Sequence, residues 1–523
     1  MTLVRLLIAA VLMVAGPALA EAPKVKVAGG VVVGTETPVA LVYRNIPYAA
    51  APVGSRRWAP PAPAPAWTGE RDGTVNGVSC PQPMRADGRP NYGAANGPVS
   101  EDCLQLNVFA PKPVAGKPVR GAPVMVWLHG GGNRYGAGWI YDGGNFARDG
   151  VVYVSINYRL GVLGSFAHPA LTAAAGPGEP LANFSLMDQI AALEWVKANA
   201  RAFGGDGANI TVFGESAGGG DILALMATPR ARGLFRRAIV ESGGGWGAPV
   251  SLGAKEAQGV RAAEALGLSN PTAAQLRAVP VENLVAKLTD GFGITVDGRL
   301  LRESPTQAFA RGHAAHAPLI IGSNSGEDSL LSDEGAPSAA ATAAPPAPGG
   351  RAAAFAAGLP PALRAAYPEE AAQGEAALGA AAFTDQAMGA PARWIAARSS
   401  RGKASAWLYH FSYVGSRFRP MVTRAFHTAE IQYVLEYWGR RTPLSAVAAD
   451  DRAMATLMHS CWVAFAKTGT PRCASGPDWP AYDPRTDQLM EFGVDSGVRT
   501  HFRRSRLEAQ EAAILPTLKL APN

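Results

Sequence analysis

Ile210-Thr211-Val212-Phe213 runs straight into Gly214-Glu215-Ser216-Ala217-Gly218, and the helix-compatible Asp221-Ile222-Leu223-Ala224-Leu225-Met226 follows. A β-rich run, a serine between two glycines and a helix leave the chain little freedom. It must turn from strand to helix at Ser216, and the flanking glycines admit the tight backbone approach that such a turn needs. The turn exposes one hydroxyl at the end of a buried strand. In a chain with 60 glycines the five-residue pattern alone recurs by chance, so the strand before it and the helix after it carry the inference.

The same grammar extends in both directions. Val124 to Leu128, Val151 to Ile156, Ala238 to Val240 and Leu319 to Ile321 are further short apolar runs with the length of buried strands. Between Val151–Ile156 and Ile210–Phe213, Leu186, Ile190, Leu193 and Val196 recur at helical spacing before the Gly204-Gly205-Asp206-Gly207 stop. Continuous apolar strands alternating with helices predict an α/β fold, a central, mostly parallel sheet with helices on both faces. Reactive groups in such sheets collect in loops beyond the carboxyl ends of the strands.

Residues 1–20 read differently from the rest. Arg5 precedes the apolar run Leu6 to Val14, and Ala18-Leu19-Ala20 offers small residues for a signal peptidase, so a signal peptide cleaved after Ala20 is expected. The run is too short to span a bilayer, which takes about 20 apolar residues. An uncleaved N-terminal anchor is the alternative. The expected product is exported, periplasmic or secreted, without stable membrane insertion. Residues 21–523 read as one domain, with the Ala/Pro-rich stretch at about 336–350 a flexible surface loop.

Four cysteines in an exported chain fit two disulfides, with three possible connectivities. Pairing sequence neighbours, Cys80 with Cys103 and Cys461 with Cys473, is the simplest choice, and free thiols at Cys461 and Cys473 are the alternative. The net charge of +7 is spread in pairs such as Arg56-Arg57 and Arg503-Arg504 without interleaved aromatics, which argues against nucleic-acid binding. His313 and His316 lack further ligands at metal spacing and read as a polar helix end. No metal and no cofactor is expected.

A serine hydroxyl needs a base to take its proton and donors for the oxyanion formed on a substrate carbonyl. The run Val124–Leu128 leads into His129-Gly130-Gly131-Gly132, whose backbone N–H groups are unencumbered and can converge with that of Ala217. For the base, the chain order serine, acid, histidine leaves the late histidines. His410 lies in a strand-like segment, His459 in an apolar helical run and His501 among arginines. His427, after an Arg/Pro-rich loop, opens an apolar segment and suits a base that reaches across the sheet. Beyond Leu319–Ile321, Glu327 and Asp328 are neighbouring carboxylates that residue chemistry alone does not separate.

These residues and their order resemble the type-B carboxylesterases, the family of the bacterial para-nitrobenzyl esterases and the animal cholinesterases. The resemblance covers the mature chain. Asn45-Ile46-Pro47-Tyr48-Ala49, Glu101-Asp102-Cys103-Leu104-Gln105-Leu106-Asn107-Val108, Asn157-Tyr158-Arg159-Leu160-Gly161, Phe203-Gly204-Gly205-Asp206 and Phe426-His427 with Glu430-Ile431 carry it, in order. It implies an α/β-hydrolase fold and a serine carboxylesterase acting on small-molecule esters through an acyl-enzyme. It further implies Ser216 as nucleophile, Glu327 as acid, His427 as base, and Gly131, Gly132 and Ala217 as oxyanion donors. It also implies a Cys80–Cys103 disulfide and a buried structural role for Glu430. Amide or carbamate hydrolysis by the same triad, and a non-catalytic binding role known among relatives, are the alternatives. Asn133 stands where the family usually has Phe, so a more polar acyl-side wall is expected. Asp328 stands where Gly is common, and Thr428 where Gly is frequent.

Overall fold

Seven parallel strands form the middle of an eleven-stranded sheet in the computed structural model, which describes residues 22–523 apart from 84–94, 96, 289–292, 332–349, 403, 440–441, 519 and 521–523. In chain order they are β1 (Ala122–Leu128), β2 (Val152–Ile156), β3 (Gly205–Glu215), β4 (Arg237–Glu241), β5 (Leu319–Asn324), β6 (Ala406–Phe411) and β7 (Gln488–Phe492). In space they run β7-β6-β5-β4-β3-β1-β2. Antiparallel strands flank them: Gln105–Ala110, Leu41–Pro47 and Thr35–Glu36 beyond β2, and Gly497–Thr500 beyond β7. A separate three-stranded sheet joins Lys24–Val27, Gly30–Val33 and Glu70–Asp72.

Every residue of β1, β2 and β4 is buried, as strands covered on both faces require. The two-residue alternation of a strand divides them between two cores. Val124, Val126 and Leu128 of β1 pack with Val212, Val240 and Ile321 against helices α1 (Phe184–Asn199), α2 (Ala217–Ala227) and α3 (Ala390–Ser400). Met125 and Trp127 pack with Phe213, Ile239 and Ile320 against α4 (Ala449–Thr468) on the other face. Four of the five strands read from the sequence extend by a few residues, while the run from Val151 becomes a strand only at Val152; β3 begins five residues before Ile210 because Gly205 already pairs with Ala122 of β1.

Both disulfides join sequence neighbours, Cys80 with Cys103 and Cys461 with Cys473, so the free-thiol alternative is not realised. Gln82 ties the first bridged loop to the segment after the glycine triplet. Its amide donates to the carbonyls of Cys80 and Gly136 and accepts from the Gly136 N–H. His313 lies just past the helix Pro305–Arg311 with Nδ1 2.7 Å from Glu303, a polar helix end. Among the described residues no helix is long and apolar enough to cross a membrane. The expected signal peptide (1–20) and nearly all of the Ala/Pro-rich stretch (336–349) lie outside the described residues.

Candidate active site

Ser216 sits between β3 and α2 with φ +57° and ψ −123°, a backbone conformation rarely adopted by a residue with a Cβ. Its N–H donates to the carbonyl of Glu241 at the end of β4 (2.9 Å), which pins the turn to the neighbouring strand. The glycine at 218 has a steric cause: a Cβ there would lie 2.1 Å from the Leu128 carbonyl oxygen at the end of β1. The elbow is thus wedged between the carboxyl ends of β1 and β4, and the side chain of Ser216 is left partly open.

His427 follows an irregular loop and precedes the short helix Ile431–Val434. Its Nδ1 lies 2.5 Å from Glu327 Oε2, and its backbone N–H donates to Ser329 Oγ at 2.9 Å. Glu327 lies three residues past the end of β5 and is fully buried. Its other oxygen, Oε1, accepts from the Ser242 hydroxyl (2.6 Å) and the Asn324 N–H (2.7 Å). An ionised carboxylate only accepts, so Nδ1 carries a proton in this pair, and in the neutral imidazole Nε2 keeps its lone pair. Nε2 makes no hydrogen bond among the described residues. It lies 3.1 Å from Glu215 Oε1, in ion-pair range but without hydrogen-bond alignment.

Asp328 points elsewhere. Its carboxylate pairs with Arg424 at 2.8 Å, and its backbone N–H donates to Thr384 Oγ1. The ambiguity between the two neighbouring carboxylates is resolved by geometry, since only Glu327 meets the imidazole. The other late histidines take structural places. His410 lies in β6 and its Nε2 is buried without a partner, while His459 Nδ1 bonds the Val434 carbonyl. Thr428, next to His427, adopts φ +77°, the left-handed region that glycine occupies freely.

The glycine triplet forms a tight turn at the end of β1. The N–H groups of Arg134 and Tyr135 both close onto the Gly131 carbonyl at 3.0 Å. A Cβ at Gly131, which has φ +100°, would lie 2.4 Å from the Tyr135 carbonyl oxygen. Among the described residues the N–H groups of Gly131 and Gly132 donate to no protein acceptor, and that of Ala217 opens α2, where helical N–H groups lack intrahelical partners. Asn133 does not present its whole amide outward. Its Nδ2 donates to Asp221 Oδ1 of α2 (3.0 Å), so the expected polar wall is in part turned inward.

Burial works against the imidazolium, but the carboxylates of Glu215, Glu327 and Glu430 outweigh it and hold the His427 pKa well above the ordinary histidine value. Glu215 is pushed up by burial, with Glu430 and Glu327 adding to the push and His427 opposing it. Glu430 is also raised, by burial and by Glu327, although its Oε2 accepts from the Asn324 amide at 2.5 Å. The sequence reading missed Ser242 and Asn324 as partners of Glu327, and Glu215 as a neighbour of Nε2. The available signal was positional. Ser242 immediately follows β4, Asn324 ends β5 and Glu215 ends β3, and polar groups at those strand ends face the reaction centre.

The comparisons with known proteins agree with this geometry. The model of the carboxylesterase family matches residues 21–510. The chain belongs to the carboxylesterase family. It is 34% identical to a para-nitrobenzyl esterase of Bacillus subtilis over 88% of this chain and 93% of the relative. It is 33% identical to a fumonisin B1 esterase of Sphingopyxis macrogoltabida over 90% of this chain and 86% of the relative. Among solved structures, a thermophilic pNB esterase superposes with a TM-score of 0.77 at 30% identity, covering 93% of this chain and 99% of that one. The carboxylesterase therefore has the α/β-hydrolase architecture and the carboxylic-ester chemistry of its family.

Proposed function

We propose that Ser216, His427 and Glu327 are the catalytic triad of an exported serine carboxylesterase, with the N–H groups of Gly131, Gly132 and Ala217 as its oxyanion hole. The observation that carries the reading is His427 held at Nδ1 by Glu327, with Nε2 making no hydrogen bond and lying 3.1 Å from Glu215, the residue before Ser216. The Ser216 hydroxyl attacks the ester carbonyl as His427 Nε2 takes its proton. The tetrahedral oxyanion is met by the three backbone donors, and Glu327 stabilises the imidazolium without being protonated. Collapse expels the alkoxide, which receives the proton from Nε2 and leaves an acyl-Ser216. Water, deprotonated by the same nitrogen, then releases the acid.

Export rests on the apolar segment and small-residue cleavage site of 1–20 and agrees with two disulfides in the chain. The substrates proposed are small esters, the class named in the para-nitrobenzyl esterase and fumonisin B1 esterase relatives. The test is a p-nitrophenyl ester series from acetate to palmitate beside matched anilides, with organophosphonate labelling located by peptide mapping. Ester turnover with label on Ser216 is expected. Faster anilide turnover would instead make the chain an amide hydrolase, and label elsewhere would remove Ser216 from the mechanism.

A further inference from the structure

The proposed oxyanion hole is assembled from two pieces of chain far apart in sequence: the turn after β1 supplies Gly131 and Gly132, and the start of α2 supplies Ala217. Three donors stabilise one oxygen only if the distance between these pieces is fixed to a fraction of an ångström. At its base the turn is held by the close approach of Gly218 to Leu128. At its tip it is held by Asn133, which sits at φ +55° and uses both ends of the residue. The Asn133 carbonyl accepts from the Gly161 N–H at 2.6 Å, and its side-chain amide donates to Asp221 Oδ1 at 3.0 Å.

Asp221 is four residues after Ala217 on α2, hence on the same helix face one turn further in. Its second oxygen, Oδ2, accepts from Gln189 Nε2 of α1 at 2.6 Å. Asp221 and Gln189 are both buried, and no cation pairs with Asp221 among the described residues. A buried carboxylate without a counter-ion is costly, and burial raises its pKa to about 6 even though the two amides oppose this. Its ionised form only accepts, so it dictates the orientation of both amides and leaves Asn133 Oδ1 and Gln189 Oε1 without partners. The clamp therefore runs from α1 through Asp221 to the tip of the glycine turn, and Asp221 shares a helix with the third oxyanion donor, directly after the nucleophile.

We infer that Asp221 is a positioning residue: by gripping the Asn133 amide it sets the glycine turn against the start of α2 and so holds the oxyanion donors in register. This rests on the triad and oxyanion reading above. Asp221 touches no reacting atom, and its effect passes entirely through Asn133.

The test uses the full-length enzyme, a short p-nitrophenyl ester and a trifluoromethyl ketone, which forms a tetrahedral oxyanion adduct on the serine. Asp221→Ala is expected to lower kcat about 10- to 100-fold, less than outright loss of a donor, which typically costs about 10²–10³. KM is expected to change little, and the ketone to weaken by the factor lost from kcat/KM, because both depend on the oxyanion. Asp221→Asn should restore most of the activity, since its side-chain oxygen still accepts from Asn133 while Gln189 turns its unpartnered oxygen toward the new amide. Asn133→Ala, at a half-buried position, removes the amide that Asp221 grips and should reproduce the kcat loss, and the double variant should lose no more than either single one. Unchanged kcat and ketone affinity in Asp221→Ala, additive losses in the double variant, or a loss confined to KM would overturn the inference. Should Asp221→Ala fail to fold, Asn133→Ala and Asp221→Asn carry the same test. Wild-type enzyme without ester turnover, or an active Ser216→Ala, would sink the triad reading instead.

Discussion

Replacing Glu327 with Gln keeps the volume of the side chain and removes one acceptor, and the cost is set by the donors around it. Three donors converge on the two oxygens: His427 Nδ1 on Oε2, and the Ser242 hydroxyl and Asn324 N–H on Oε1. A glutamine must place its NH₂ against one of these sets. Turned toward His427, it forces the proton from Nδ1 to Nε2, and the imidazole can no longer accept from Ser216. Turned toward Asn324, it sets two buried donors face to face and leaves the imidazolium without a neutralising charge. The first arrangement is the wrong-tautomer defect of serine hydrolase triads, which costs about 10⁴ in rate, or about 5.5 kcal/mol of transition-state stabilisation. Asp328→Asn is the matched control. It weakens a partly exposed pair with Arg424, worth about 1 kcal/mol or less, and reaches no atom of His427. Steady-state kcat/KM on a short p-nitrophenyl ester should therefore fall about 10⁴-fold for Glu327→Gln and less than about threefold for Asp328→Asn. The reverse ranking, or equal losses, would refute the assignment of the acid.

Ser216→Ala should abolish turnover and phosphonate labelling while leaving the thermal midpoint close to wild type, because it deletes one partly exposed hydroxyl; residual labelling at wild-type rate would refute it. Gly131→Ala should lower kcat by about 10²-fold or more, since a Cβ 2.4 Å from the Tyr135 carbonyl forces the oxyanion turn open; normal kcat would remove that turn from the mechanism. The raised His427 pKa places the acid limb of kcat/KM above the ordinary imidazole value of about 6.5, with activity climbing as pH rises and Nε2 is freed. Glu215→Gln removes the strongest of the charges that raise it and should move that limb to lower pH; a limb that stays put would show that Glu215 does not act on the base.

The elbow, strands β1 to β5 and helices α1 and α2 were legible because each obeys a local rule. Burial on both faces makes β1, β4 and β5 continuous apolar runs, and the passage from strand to helix at Ser216 demands small neighbours at fixed offsets. Element ends were less legible, as at β3, where pairing with Ala122 draws in the polar residues from Gly205 onward. Within the site, Ser216 and the glycine triplet announce themselves by local spacing, whereas Glu327 and Asp328 are chemically equivalent until tertiary structure directs one to His427 and the other to Arg424. Ser242 and Asp221 were invisible for the same reason, since their roles are set by partners 85 and 88 residues away.

Four buried glutamates, Glu215, Glu241, Glu327 and Glu430, lie close to one another at the site, and the structure distinguishes them by hydrogen-bond donors. Glu215 Oε1 and Glu430 Oε1 have no partner, and Glu241 is held at Oε1 by the Trp462 indole while its Oε2 is unpartnered. Burial raises the pKa of all three. Glu327 alone receives donors on both oxygens, from Ser242, Asn324 and His427, so the protein itself solvates its charge. Glu215 and Glu430 act on the imidazole through their charge, whereas Glu327 acts on it through a hydrogen bond that orients Nδ1 and leaves Nε2 to exchange its proton with the serine. The strand ends of β3, β4 and β5 thus deliver similar acids to one place, and hydrogen-bond donors select which of them acts.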